Sequence, residues 1–164
     1  MENAYFYDTE IGKVYITDDG KSITGLYFGK INFPQNFIIR ETDIIKEAIK
    51  QLNDYFSGRR RKFDLPLAPC GTDFQKTVWR ELQNIPFGET RSYKEIAEKI
   101  GKFKAFRAVG HANNKNPIPI FIPCHRVIGA DGSLVGYGGG IEIKKHLLDM
   151  EKKFNTMFIE NSSS

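Results

Sequence analysis

A chain of 164 residues, 40% hydrophobic and 27% charged, has the composition of a soluble globular protein with room for one compact domain or two small ones. It holds no run of about 18 apolar residues, which excludes a membrane-spanning helix, and its two cysteines, Cys70 and Cys124, are too few for a disulfide framework. The formal charge is +4, but residues 88–127 carry eight Lys/Arg against three Glu, so that stretch is +5 and the rest of the chain −1. Any attraction to a polyanion is concentrated there.

The N-terminus, with Glu2, Asp8 and Glu10, has no positive-then-apolar pattern, so a cytoplasmic setting is expected, or a nuclear one in a eukaryote. Residues 4–7, 13–17 and 22–28 alternate like strands, and Asp18-Asp19-Gly20-Lys21 joins the last two in an antiparallel meander. From Asp43 to Phe56 the apolar residues Ile45, Ala48, Ile49, Leu52, Tyr55 and Phe56 recur at helical spacing. Residues 57–71 hold Gly, Pro and the basic run Arg59-Arg60-Arg61-Lys62, and read as an interdomain connection with the boundary near residue 68. Cys70 reads there as a small linker residue.

Thr72 with Gln75 forms a capping box that opens a helix to about residue 84, and Pro86-Phe87-Gly88 ends it. Ser92 with Glu95 forms a second box, opening residues 93–100, and Gly101 stops that helix. Residues 104–113 form a further helix, with Ala105, Val109 and Ala112 inward and Arg107, His111 and Asn114 outward. Two short helices around a glycine turn are a helix-turn-helix pattern, which by itself is weak evidence for DNA. The second helix is built from the small residues Ala105, Ala108, Gly110 and Ala112, suited to close backbone approach and equally to tight packing.

Asn116-Pro117-Ile118-Pro119-Ile120 then forms a proline-stiffened track to Phe121-Ile122-Pro123-Cys124-His125-Arg126-Val127. A free thiol ionises near pH 8.5, and His125 is the candidate to lower that value. Neighbours on a regular strand point to opposite faces, so the pair cooperates only across a turn or through a water. The competing reading is a buried structural cysteine beside a surface histidine. Val135-Gly136-Tyr137-Gly138-Gly139-Gly140 matches no phosphate-binding fingerprint. The last helix, residues 141–154, buries Ile143, Leu147, Met150 and Phe154; Glu151 sits beside that stripe, where a surface role is the default, and residues 155–164 read as a disordered tail.

The expected fold class is α+β: a small N-terminal antiparallel sheet plus helix over residues 1–68, then a mostly helical C-terminal domain with a helix-turn-helix over residues 69–154. Pro86-Phe87-Gly88-Glu89, Ser92-Tyr93, Arg107-Ala108-Val109-Gly110, Asn116-Pro117, Ile122-Pro123-Cys124-His125-Arg126-Val127-Ile128-Gly129 and Gly136-Tyr137-Gly138-Gly139 occur in order. Together they resemble the methylated-DNA-protein-cysteine methyltransferases, densely over residues 72–151 and in general layout before them. The resemblance implies direct repair of 6-O-methylguanine, and less well 4-O-methylthymine, with the alkyl group moved once and irreversibly to Cys124 after the base is flipped out. It implies His125 as the base acting through a water, Glu151 as its orienter, Asn116 as a tie to nearby backbone, and Tyr93 as an aid to phosphate rotation and proton donor to the base. Arg107 would fill the emptied stack, with Ser92, Phe106, Ala108 and Gly110 along the DNA surface. Val127, Tyr137, Gly138 and Pro119 would line the base pocket, and Arg126 would anchor the segment. The partner implied is double-stranded DNA carrying alkylated guanine, met by a monomer with no metal and no cofactor.

Three rivals remain on the residues. A non-catalytic lesion sensor of the alkyltransferase-like group carries tryptophan where Cys124 stands. A Cys-His hydrolase takes its base from a distant segment and needs an oxyanion motif, which is not evident. A transcription regulator has no use for a rigid thiol beside its DNA-reading helices.

Overall fold

Alternation of apolar and polar residues near the N-terminus places every second side chain on one face of a sheet, which then needs a cover. In the computed structural model, which describes residues 2–29 and 36–162, β1 (Glu2–Thr9), β2 (Gly12–Asp18) and β3 (Ile23–Phe28) pair antiparallel, with Tyr5 opposite Ile16 and Ile16 opposite Leu26. The Asp19 carboxylate accepts the Lys21 and Ser22 amides and closes the β2–β3 turn. A fourth strand, β4 (Phe37–Ile39), was not expected; it lies parallel to β1, giving the order β3-β2-β1-β4. Three residues are too few to show a period, which is why the sequence carries no sign of it.

The cover is α1 (Asp43–Phe56), capped by the Thr42 hydroxyl and burying Ile45, Ala48, Leu52, Tyr55 and Phe56. Each large apolar side chain so enclosed stabilises the unit by about 1.5–3 kcal/mol. Residues 117–121 cluster with residues 1–70 in this first unit, whereas residues 71–116 and 122–164 form the second. Within the first unit the Leu26 amide donates to the Pro117 carbonyl at 2.9 Å and Phe121 meets Phe63 edge-on at 4.7 Å. The proline track is therefore not one extended run. It turns at Ile120, whose φ of 73° is left-handed, a conformation that is a real outlier for a β-branched residue and is held here by burial.

The second unit is built on the two capping boxes, both formed reciprocally: Thr72 with Gln75 opens α2 (Asp73–Leu82), and Ser92 with Glu95 opens α3 (Tyr93–Lys99). After the turn at Gly101 comes α4 (Phe106–Asn114), shifted later than expected because Ala105 takes the cap position. Its inward residues Val109 and Ala112 are buried together with Val78, Trp79, Leu82, Ile96 and Ala97, and the Trp79 indole donates to the Ala112 carbonyl at 2.8 Å. A short parallel pair, β5 (Arg91–Ser92) with β6 (Val127–Ile128), sets the entrance of α3 beside the strand that leaves Cys124. The last helix, α5 (Ile141–Ser162), runs on where a tail from residue 155 was expected; residues 163 and 164 lie outside the described residues. The architecture is α+β, as the element pattern led one to expect.

Candidate active site and nucleic-acid interface

Pro123, at φ −79° and ψ 63°, tips the chain out of extended geometry, and Cys124–Arg126 form a single 3-10 turn. That turn replaces the strand in which adjacent side chains would point apart. All three residues are buried, with Cys124 4% exposed and His125 fully enclosed. His125 Nε2 lies 2.6 Å from Glu151 Oε2. Glu151 is 1% exposed, so the surface role that its position beside the α5 stripe suggested is corrected. Its carboxylate is saturated: Oε1 accepts from Arg126 Nε at 2.8 Å and the Gly88 amide at 3.1 Å, and Oε2 also accepts from Arg126 Nη2 at 3.1 Å. Arg126 further donates to the Ile85 carbonyl at 2.8 Å and lies over the Phe87 ring. The Pro86-Phe87-Gly88 turn thus serves the buried cluster as well as ending a helix.

Burial alone would raise the Glu151 carboxyl, but the charges and hydrogen bonds of His125 and Arg126 outweigh it and hold the group well below the ordinary carboxylate range. The guanidinium charge of Arg126 acts throughout, whereas His125 adds its charge only when it is protonated and otherwise acts by its hydrogen bond. Burial likewise holds the imidazole of His125 below its usual value, so the ring is neutral near neutral pH despite Glu151. The Cys124 thiol behaves contrary to the simple expectation of activation by its neighbour: burial pushes it up to about 11, with hydrogen bonding from Asn116 and the charge of Lys144 acting in the opposite sense. Asn116 also donates to the Ile122 carbonyl at 2.9 Å, which ties the two ends of the track.

Tyr93 begins α3 half-buried, and its hydroxyl donates to the Val135 carbonyl at 3.1 Å. Burial and the nearby Cys124 both raise its pKa. Tyr137 is half-buried with its hydroxyl enclosed, raised well above the ordinary value by burial first and by Cys124 and Glu151 next. Gly136, at φ +59°, packs so close to Asn114 that an added Cβ would lie 2.6 Å from its side chain, whereas Gly138 faces open space. Val127 is buried at the exit of the 3-10 turn, and Pro119 is buried in the segment that clusters with the first unit. On α4, Phe106, Arg107 and Ala108 are exposed and Gly110 is partly covered by the Tyr93 ring. Ser92 is half-buried, its hydroxyl used by the Glu95 amide. A concavity of ≈ 360 Å³ between Glu81, Asn84, Arg91, Glu95 and Lys99 includes none of the expected site residues.

A buried thiol followed by a locked imidazole, beside a helix with an exposed arginine, now has counterparts. The family described as 6-O-methylguanine DNA methyltransferase, DNA binding domain, matches residues 73–153, and its ribonuclease-like domain matches residues 4–69. A methylated-DNA–protein-cysteine methyltransferase of Methanosarcina barkeri is 51% identical over 154 residues, covering 90% of this chain and 97% of its own. The chain belongs to this methyltransferase family. The constitutive enzyme of Bacillus subtilis is 45% identical over 152 residues, covering 88% and 92%. Mycobacterium tuberculosis OGT, solved in complex with DNA, superposes with a TM-score of 0.87 at 45% identity, covering 93% of this chain and 94% of that one.

Sequence reasoning missed two side chains of this methyltransferase. Asn113, buried at the end of α4, donates to the Cys124 carbonyl at 3.3 Å. Lys144, fully buried on α5, donates to the carbonyls of Val127 and Val135. A signal for the second was present: Lys144, Leu147 and Glu151 fall three and seven residues apart, in one row of a helix.

Proposed function

We propose that this methyltransferase reverses alkylation of guanine at the 6-oxygen in double-stranded DNA, and less well of thymine at the 4-oxygen, by one irreversible transfer to Cys124. The observation that carries the reading is the 2.6 Å contact between His125 Nε2 and the saturated carboxylate of Glu151. An ionised Glu151 requires a proton on Nε2, which leaves Nδ1 as the basic nitrogen, the arrangement a proton acceptor needs. The thiol, unionised at rest, gives its proton to Nδ1 through one water as sulfur attacks the alkyl carbon in line. The S–C bond forms, the C–O bond breaks, and its electron pair stays on the base. The base takes a proton from the Tyr93 hydroxyl, which solvent and the imidazolium resupply. No cofactor enters the scheme, and because a thioether is a poor leaving group the molecule reacts once.

The basic, aromatic-flanked start of α4 supports minor-groove binding. Ala108 and Gly110 let the helix backbone come close, and Arg107 stands ready to fill the stack left by the flipped nucleotide, whose extrusion costs a few kcal/mol. Phe106 and Ser92 border the same surface. The protein acts as a monomer, in the cytoplasm, or in the nucleus of a eukaryote. The test is incubation with a duplex containing 6-O-methylguanine, followed by intact-mass and peptide analysis. One methyl group on Cys124 with no further turnover is expected. DNA binding with unchanged mass would favour the lesion-sensor reading, and continuous product release a hydrolase.

A further inference from the structure

Apolar rings left in water are unfavourable in proportion to their area, yet one short stretch of the second unit keeps two of them there. Phe103 is 71% exposed, more than any other large hydrophobic side chain among the described residues, and Phe106 is 37% exposed. The backbone beneath Phe103 is tied on both sides. Gly101, at φ 74°, reverses the chain after α3, and the Lys102 amide donates back to the Ala97 carbonyl at 2.8 Å. The Ala105 amide then closes a turn on the Lys102 carbonyl at 2.8 Å, with Phe103 and Lys104 at its tip. Phe106 opens α4, and Lys94 Nζ from α3 lies 5.8 Å from the centroid of its ring, a cation–π distance that favours keeping the ring at the surface.

Scattered exposed phenylalanines need no explanation, but these two alternate with cations. Lys94, Lys102, Lys104 and Arg107 are all exposed, and no carboxylate occurs from residue 99 to residue 130. A symmetric contact between two copies through this patch would set like charges against one another. A duplex meets both demands of the surface, since its phosphates border a groove whose floor is stacked, apolar base pairs.

We propose that Phe103 is a second wedge on the DNA: as α4 enters the minor groove, the ring slides between two base pairs a short way from the nucleotide whose place Arg107 takes. Phe106 rests against the groove wall, and Lys102 and Lys104 meet the flanking phosphates. The phenyl area taken from water offsets the lost stacking, and the kink so made opens the groove towards the extruded base. The inference rests on the duplex-binding part of the proposed function and not on alkyl transfer.

The test uses the full chain carrying Cys124→Ser, so that no alkyl group moves, and a duplex with one 6-O-methylguanine in which 2-aminopurine occupies successive positions. This base brightens where stacking is lost. Brightening is expected at two places, the lesion and a second step, and adding Phe103→Ala should abolish the second. Log affinity against log salt for Phe103→Ala should run parallel to the parent line and about tenfold lower, because an apolar contact releases no counterions, whereas a lost phosphate contact changes the slope. Phe103→Leu should restore most of both signals. Brightening of the parent at the lesion alone overturns the proposal without recourse to any Phe103 variant. So does a Phe103→Ala line that coincides with the parent line or differs from it in slope. Should Phe103→Ala leave duplex affinity intact and convert a sedimenting dimer to a monomer, the ring serves a second copy and the wedge is refuted. A parent that brightens at both places, while wild type takes up no methyl group from the same duplex, upholds the wedge and sinks the alkyl-transfer reading.

Discussion

The second unit holds charge in two contrasting places. Around Glu151 an anion, a guanidinium and an imidazole lie out of water with four donors on one carboxylate. Around the start of α4, Lys102, Lys104 and Arg107 stand exposed, beside Phe106 at 37% and Phe103 at 71% exposure. Charges of the first kind have surrendered their hydration and depend on one another's geometry. Those of the second kind keep their water until a polyanion displaces their counterions. Buried charges therefore set chemistry and folding, and exposed ones set association.

Substitutions can separate the two regions. Arg126→Ala should be the most damaging, since it strands the Glu151 carboxylate; a loss of about 3–5 kcal/mol in urea unfolding is expected, and an unchanged midpoint would show that the buried pairing is not what holds the turn. Arg107→Ala should alter stability by no more than about 0.5 kcal/mol while slowing repair of duplex far more than reaction with the free base. Equal losses on both substrates would remove its stack-filling role. Glu151→Gln probes acid stability. Its folded pKa lies below the ordinary 4.5, so the stability it contributes is present above that pH and is lost as pH falls from there towards the folded value. His125, whose folded pKa is below 6.5, acts in the same direction below that pH. Wild type and variant should differ at neutrality and converge on acidification, and parallel curves would count against an ionised Glu151. The smallest effect is expected from Lys102→Ala, which should lower the salt dependence of DNA binding by about one unit of slope and leave single-turnover chemistry at saturating DNA unaltered.

Much of this was legible because it is local. Capping boxes at Thr72 and Ser92 declare themselves through two residues three apart, and the boundaries of α1 follow from apolar spacing and the Thr42 cap. The ordered motifs from Pro86 to Gly139 point to the family on their own. Other features escaped for a common reason. β4 is too short for a period, and its pairing with β1 is non-local. The left-handed Ile120 breaks a rule that sequence reading applies to β-branched residues, and only tertiary burial sustains it.

By itself the sequence determined which groups are available: a thiol next to an imidazole, a small-residue helix with one arginine, and a carboxylate two turns from a lysine on the last helix. Tertiary structure decided what state those groups are in. A pKa depends on removed water and on neighbours brought from distant segments, so the protonated thiol, the neutral His125, the ionised Glu151 and the buried Lys144 follow from the packing of α5 against the Cys124 turn.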